Sequence, residues 1–452
     1  MLPLMLIGVV LTLFIIAIKP KWGTLLVWPI LFTYPHGWWY YQQFLPLNIG
    51  FDDLFCIFLF VVVLIRRNLL GGVRIRFSYA LWIISAFVVI AAIANFTGST
   101  DAPSHERILY LKDILKLGVF WCLSYAILHC IDDVRDLKVQ FTVFSLAAVL
   151  GAVIVILQYF FPYHMEIFAA PAVPGRPAIR FAGRSAGAFM NANVAASVLG
   201  CSLVLVSGAI RLQKRLISKI IIYSLMFVLL SAMLCARSRS GLIALAGTFA
   251  IMAFVGRSKK LAWFVIIAAI VVGLTFAGVR EAYQRRLAEA YEPVTGAVGS
   301  TVAGRFRTWS SYFETATPRI YLLGQGFRQG IARNGMESHN TYISLITVYG
   351  IGGVIWAVAA LVIFFRKAFI LRNFPDALIS AVSAGCMWAL LLWGIYAMAA
   401  DALNAAYSRY LLFYLVVLID RAYSIAREQQ ELLWYEEEDY QPKMYAEAPE
   451  VY

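Results

Sequence analysis

An all-α polytopic membrane protein is the fold class this sequence predicts, and three observations predict it. The 452 residues are 62% hydrophobic and only 14% charged, with a mean hydropathy of +0.76. A soluble globular chain carries roughly 25% charged residues, so most of this one has no water to face. Apolar runs approaching the ~20 residues that a bilayer-spanning helix needs recur along the chain. Lys and Arg, finally, concentrate in alternate loops between those runs.

Spans are expected near 3–18, 22–34, 52–65, 77–95, 114–130, 140–161, 191–209, 219–236, 240–256, 261–278, 341–365, 376–397 and 405–420. Those at 22–34 and 52–65 are the weakest, so the expected count is about 12–13. The first run has neither a basic start nor a small-x-small cleavage site, and it reads as a membrane span rather than a cleaved signal. One set of alternate loops holds Lys19/Lys21, Arg66/Arg67/Arg74/Arg76, Arg135/Lys138, Arg211/Lys214/Arg215/Lys219, Arg257/Lys259/Lys260, Arg366/Lys367/Arg372 and Arg421/Arg427. That side is assigned to the cytoplasm. The other set comprises the loops near 35–51, 96–113, 162–190, 237–240, 279–340 and 398–404.

The expected organisation is a transmembrane helical domain over 1–421, an outer loop at 279–340 inserted within it, and an acidic cytoplasmic tail at 422–452. The tail carries Glu436, Glu437, Glu438 and Asp439 and is expected to be partly disordered. The long loop reads as two helical stretches, Val279 to Tyr291 and Ala303 to Ala316. A turn region at Pro293 to Ser300 separates them, and Gly324, Gly326, Gly330 and Gly335 break up the remainder of the loop. A loop of this length inside a compact protein is usually functional.

The net charge of +13 does not imply nucleic acid, because it lies in short loops beside membrane lipids. Cys56, Cys122, Cys130, Cys201, Cys235 and Cys386 all sit in apolar runs without a CxxC pair, which suits core packing rather than disulfides or zinc. No P-loop, dinucleotide fingerprint or HExxH helix is present.

Beyond Lys116, every basic residue placed on the outer side is Arg: Arg176, Arg180, Arg184, Arg237, Arg239, eight from Arg280 to Arg333, and Arg409. Guanidinium is a planar fork of donors matched to phosphate oxygens, which points to an anionic ligand such as a diphosphate. Pairing with Glu281, Glu289, Glu292 and Glu314, or with lipid headgroups, is the plainer account of any single one. In Cys235-Ala-Arg-Ser-Arg-Ser-Gly241, two arginines stand between two spans, and Arg239 falls at a helix start, where backbone N–H groups favour anions. Arg305 and Trp309 are four apart and share a helix face. His339 in Glu337-Ser-His-Asn340 is the long loop's one histidine and suits a general base near pH 7. His36, His105, His129 and His164 compete with it, His129 reading as structural. Asn191 and Asn193 open a span, where they either cap the helix or meet sugar hydroxyls. Asp401 and Arg409 are expected to form a buried pair.

Taken in order, these segments resemble the O-antigen ligase and O-antigen polymerase superfamily of bacterial membrane glycosyltransferases. The resemblance rests on Gly187–Asn193 opening a helix, Ser238-Arg239-Ser240-Gly241, Arg305 with Trp309 followed by Pro318 and Gly324-x-Gly326-Phe327, and His339-Asn340-x-Tyr342 ahead of Gly350-x-Gly352. It covers residues 183–355; the N-terminal third resembles the family in hydropathy alone. The resemblance implies an undecaprenyl-diphosphate-linked glycan as donor and an inverting transfer without metal, nucleotide or other cofactor. Lipid A core is the first acceptor it implies, with another lipid-linked glycan (a polymerase) or a protein residue as alternatives. His339 would deprotonate the acceptor hydroxyl. Arg239 and Arg305 would hold the diphosphate, with Arg237 and Arg307 as their alternates. Asn191, Asn193, Trp309, Asn340 and Arg184 would contact substrate. The implied location is the bacterial inner membrane, with the site facing the periplasm. A transporter is the rival of another class, but it should show internal repeats and interrupted midplane helices, and none is evident in the sequence.

Overall fold

The computed structural model describes residues 12–33, 51–100, 102–103, 107–162, 164–165, 168, 184–189, 191–255, 263, 267, 302–334 and 337–446, with backbone alone at 51, 302–303 and 432–446. Every regular element among them is helical. The named helices are α1 (Pro20–Thr33), α2 (Phe51–Val63), α3 (Tyr79–Ser99), α4 (Arg107–Cys130), α5 (Val134–Phe160), α6 (Ala192–Gly208), α7 (Leu216–Ala236) and α8 (Arg239–Val255). They continue as α9 (Val302–Glu314), α10 (Pro318–Leu323), α11 (Phe327–Asn334), α12 (Thr341–Thr347), α13 (Gly350–Leu371), α14 (Ala377–Ala397) and α15 (Ala406–Ala446).

Six of these helices are long and apolar enough to cross a membrane: α3, α5, α6 with its 3₁₀ extension to Leu212, α7, α13 and α14. The protein is an all-α polytopic membrane protein. Helix α8 is apolar but has 17 residues, and α1 and α2 have 14 and 13. At 1.5 Å per residue α1 covers roughly 21 Å, short of a hydrocarbon core of ~30 Å. All of the expected span 261–278 but residues 263 and 267, most of 3–18, and the loop reading of 279–301 lie outside the described residues.

Side-chain caps mark several starts. Ser78 accepts from Leu81 N, Asp133 from Asp136 N, and Asp376 from Leu378 N and Ile379 N. The core is built around α6 and α14, the two most buried spans. They meet through small residues: a Cβ on Gly208 would lie 2.4 Å from the Ala381 carbonyl. An aromatic cluster of Trp28, Phe144 and Tyr414, with centroids 4.4–5.0 Å apart, ties α1 to α5 and α15.

Three expectations about elements are corrected. The span expected over 341–365 is two helices, α12 and α13. Gly350, which opens α13, has φ +69°, and its close neighbour Gly324 has φ +80°. A Cβ on Gly350 would lie 2.6 Å from Gly324 N, so the two glycine motifs pack on one another. The chain after Pro318 is not simply broken up: it forms α10 and α11, with Gly330 inside α11 facing Tyr312. Finally, α15 does not stop at 421. It continues to Ala446 through the Glu-, Gln- and Leu-rich sequence that favours helix.

Several loops assigned to one side do meet at one end of the bundle, around Asp132. Lys21 reaches Asp132 at 2.8 Å and Asp136 at 2.5 Å, Arg67 reaches Asp132 at 2.5 Å, and Arg76 reaches it at 3.3 Å. His129 belongs to this end and is structural: it stacks on Tyr125 at 4.0 Å and accepts from Arg76 N at 2.9 Å. Burial raises the Asp132 carboxyl, but the hydrogen bonds from Lys21 and Arg67 outweigh it and hold the pKa down at about 2. A depressed carboxylate stabilises the fold above its unfolded pKa and loses that contribution as pH falls. Asp132→Asn is therefore expected to remove roughly 1 kcal/mol of stability at neutral pH, since the half-exposed hub is screened by water. Thermal unfolding in detergent at pH 7 should show the lower midpoint. A midpoint equal to that of the parent would mean the hub is not stabilising.

Candidate functional site

The end opposite Asp132 gathers α8, α9, α12 and the 398–404 loop. Helix α7 ends at Ala236, Arg237 adopts φ +50°, and α8 begins at Arg239, so two residues turn the chain through a full reversal. The Arg237 guanidinium lies over the Tyr159 ring, 5.0 Å from its centroid, and donates to the Tyr159 hydroxyl at 2.7 Å. Ser238 donates to Asn193 Oδ1 at 3.0 Å, and Arg184 donates to the same oxygen at 2.6 Å. Asn193 is therefore the bridge between the chain before α6 and the α7–α8 turn. Asn191 takes the blander of its two readings, capping α6 by accepting from Asn193 N at 2.8 Å.

On α9, Gly304, Thr308 and Tyr312 are buried, Arg305 and Trp309 flank them half-buried, and Phe306 and Arg307 are exposed. Arg305 is thus the inward guanidinium and Arg307 the outward one. Arg305 donates to the Ala399 carbonyl at 3.1 Å. Burial, and then the neighbouring Arg239 guanidinium, lower its pKa. Two guanidiniums close enough to oppose each other's charge form a site an anion would relieve. Trp309 Nε1 donates to the Ser338 carbonyl at 2.8 Å, fixing the residue before His339.

His339 has φ +51°. It and Arg237 are the two non-glycine residues with positive φ among the described residues. Such a conformation costs roughly 1–2 kcal/mol, and strained residues of this kind cluster where function needs them. The imidazole is 43% exposed, so a second reactant can reach it. Its Nδ1 lies 3.9 Å from a Glu337 carboxylate oxygen. Burial, and then the Arg305 guanidinium, hold the imidazole below its usual 6.5, while Asp401 pulls the other way. The ring is therefore neutral at pH 7 and can accept a proton.

Asp401 is not the ion-pair partner of Arg409 that the sequence suggested. Arg409 donates to the Asn404 carbonyl at 3.2 Å and lies over Phe120, 4.5 Å from the ring centroid. Asp401 turns instead toward the histidine segment. It accepts from Ser344 at 2.7 Å and from Ser338 at 3.4 Å. Burial pushes it up to about 6, and the Ser344 hydrogen bond pulls it back. Asn340 caps α12, accepting from Tyr342 N at 2.9 Å and Ile343 N at 3.3 Å. Thr341 N and Oγ1 both donate to the Ala400 carbonyl, at 3.1 and 2.8 Å.

The chain matches no protein-family model and no curated protein.

His339, Arg305, Arg239, Trp309 and Asn340 thus converge as one constellation. Arg184 and Asn193 support the turn that carries Arg239, Arg237 is committed to Tyr159, and Arg307 faces outward. Of the remaining loop arginines, Arg328 holds Asp113 through Nε at 2.7 Å and Nη2 at 3.1 Å. Arg176, Arg180, Arg280, Arg285 and Arg286, with His36 and His105, lie outside the described residues. Glu337, Ser338 and Ser344 are the supporting groups that sequence reasoning passed over; the signal was a run of small polar residues flanking the histidine in an otherwise apolar region. Trp309→Phe should free the Ser338 carbonyl and speed amide exchange around residues 338–341 by roughly fivefold to tenfold, the equivalent of one hydrogen bond of ~1 kcal/mol. Hydrogen–deuterium exchange with peptide resolution measures this. Exchange as slow as in the parent would show that the indole is not what holds the segment.

Proposed function

We propose that this protein is an O-antigen ligase-like glycosyltransferase, moving a glycan from undecaprenyl diphosphate to an acceptor hydroxyl at the periplasmic face of the bacterial inner membrane. Lipid A core is the acceptor favoured by the resemblance. The observation that carries the reading is the single cluster of an exposed neutral imidazole and two mutually repelling guanidiniums, His339 with Arg305 and Arg239.

In this reading the acceptor oxygen attacks the anomeric carbon as His339 takes its proton. The bond from that carbon to the diphosphate oxygen breaks on the opposite face, so the configuration inverts. The electron pair leaves with undecaprenyl diphosphate, whose growing charge Arg305 and Arg239 stabilise. Each guanidinium offers a fork of donors that a lysine lacks. Trp309 and the 398–404 loop hold His339 and Arg305 in place, and Asp401 is a positioning residue acting through Ser338 and Ser344. Arg237, committed to Tyr159, and Arg307, facing outward, are the weaker donor ligands; Asn191, Asn193 and Arg184 shape the α6–α8 edge.

The test supplies purified protein with undecaprenyl-diphosphate glycan and either lipid A core or no added acceptor. Product on lipid A core, reduced at least about 100-fold in His339→Ala, supports the ligase. Elongated lipid-linked glycan in the tube without added acceptor would make the protein a polymerase instead. Transfer by His339→Ala at the parental rate would sink the mechanism. Arg239→Lys is expected to slow turnover by roughly 100-fold.

A pH profile tests the proton acceptor separately. The folded imidazole titrates below 6.5, so transfer should be level at neutral pH and fall only in more acidic solution. Asp401→Asn removes the carboxylate that holds the imidazole up, and the acid limb should move to still lower pH. A limb that moves upward, or does not move, would separate Asp401 from His339.

A further inference from the structure

A second site lies on the flank of α4 away from the arginine cluster. Helices α2, α3 and α4 enclose a cavity of about 570 Å³ whose floor is apolar. Ile57, Val61, Val89 and Leu115 line it and are also exposed on the outer surface of the bundle, so it is a groove open to the side. Its interior polar groups, Trp121 Nε1 and Ser85 Oγ, satisfy one another at 2.8 Å. The charges in its lining are Lys112 and Lys116, one helical turn apart on α4, and Asp53. Asp53 is buried and 3.7 Å from Lys116, whose side chain is 43% exposed. The Lys116 ammonium thus reaches a buried carboxylate from a side chain that stays partly exposed, and Lys112 stands beside it in the same lining. Lys112 lies in the field of Lys116 and Arg328, opposed by the carboxylates of Asp113 and Asp53. Asp113, on the same turn, is already held by both nitrogens of Arg328, and Asp52, which also senses Lys116, does not line the groove.

We propose that this groove binds one anionic glycerophospholipid, with an acyl chain along the apolar floor and the phosphodiester at Lys112 and Lys116. Three features select that occupant. The trough is apolar along its length and opens to the side, as a hydrocarbon chain from the bilayer requires. The ammonium pair stands at the same end of α4 as the polar loops, where a headgroup would lie. And the cations are lysines, compact point charges suited to a singly charged phosphodiester, where the other site uses the forked arginines that suit a diphosphate. The proposal stands apart from the glycan-transfer reading, because its test reads lipid occupancy and not product.

Trp121 lines the groove, so a lipid brominated on its acyl chain would quench it. The full chain in zwitterionic micelles is titrated with brominated phosphatidylglycerol, and the share of quenching due to Trp121 is taken as the difference from Trp121→Phe. Phosphatidylglycerol should quench that share at a far lower mole fraction than brominated phosphatidylcholine does. Lys112→Ala with Lys116→Ala should weaken it roughly 30-fold, about fivefold for each lysine near an anionic lipid. Val89→Phe, which fills the trough and keeps both lysines, should weaken it as well; this variant decides the question if the double substitution does not fold. Equal quenching by the two lipids, or unchanged quenching in the variants, would overturn the proposal. Displacement of phosphatidylglycerol by undecaprenyl phosphate at lower mole fraction would also overturn it, assigning the groove to an isoprenoid lipid.

Discussion

The short loop between α14 and α15 is the constraint on which the candidate site depends. Within three residues it presents the Ala399 carbonyl to Arg305, the Ala400 carbonyl to Thr341, and the Asp401 carboxylate to Ser344 and Ser338. The segments that meet there, α9 and residues 338–344, come from the same long insertion but share no regular hydrogen-bond ladder. A buried polar group left without a partner costs about 1–3 kcal/mol, so each of these contacts is hard to give up singly. The loop can do this because its two helices are pinned at both ends. Helix α14 lies in the core against α6, and α15 crosses the bundle with Asp420 accepting from Lys367 and from Ala80 N.

Backbone strain arises from the same scaffold. Arg237 and His339 each occupy a left-handed conformation that most side chains avoid. At Arg237 the tight α7–α8 reversal imposes it, and Tyr159 holds the guanidinium by both its ring and its hydroxyl. At His339 the segment is clamped on each side, by Trp309 on the Ser338 carbonyl and by the Asn340 cap on α12. Flattening either residue into an ordinary conformation would break one of those clamps. The imidazole is thereby turned outward on a backbone that cannot easily relax. That is what a group needs if it must meet a reactant without first having to be ordered.

Much of this was legible in the sequence, and the failures have physical causes. Hydropathy located the spans because a bilayer allows only helices with internally satisfied backbones, and the ends of α6, α7 and α14 fall within a few residues of expectation. Spacing placed Arg305 and Trp309 on one face of α9, and the α7–α8 junction put Arg239 at a helix start. Hydropathy could not show the break at Gly350, since the residues on either side are equally apolar and the break is set by the approach of Gly324. It could not orient Asp401 either: distance along the chain favoured Arg409, whereas the carboxylate is claimed by serines from a segment 57 and 63 residues away. The groove beside Lys112 and Lys116 had no sequence signature, because its walls come from three helices and its lysines sit on α4, which begins earlier than the apolar run.

The arginine cluster of the candidate site is held differently from the cations that meet at Asp132, and this difference supports the anion proposed for it. Around Asp132, the cations Lys21, Arg67 and Arg76 converge on carboxylates, and Lys367 does the same with Asp420. Those charges are neutralised within the protein. Around the candidate site, Arg305 and Arg409 are held by carbonyl oxygens and an aromatic face. A carbonyl orients a guanidinium without cancelling its charge, and Arg305 in addition lies in the field of Arg239. Positive charge held in fixed positions and partly withdrawn from water is unfavourable unless something negative completes it. If stability were all that these arginines served, a carboxylate in place of the Ala399 carbonyl contact would serve better, as it does for Arg328 with Asp113. The arrangement keeps geometry and charge together, and the proposed phosphate-bearing donor would use both.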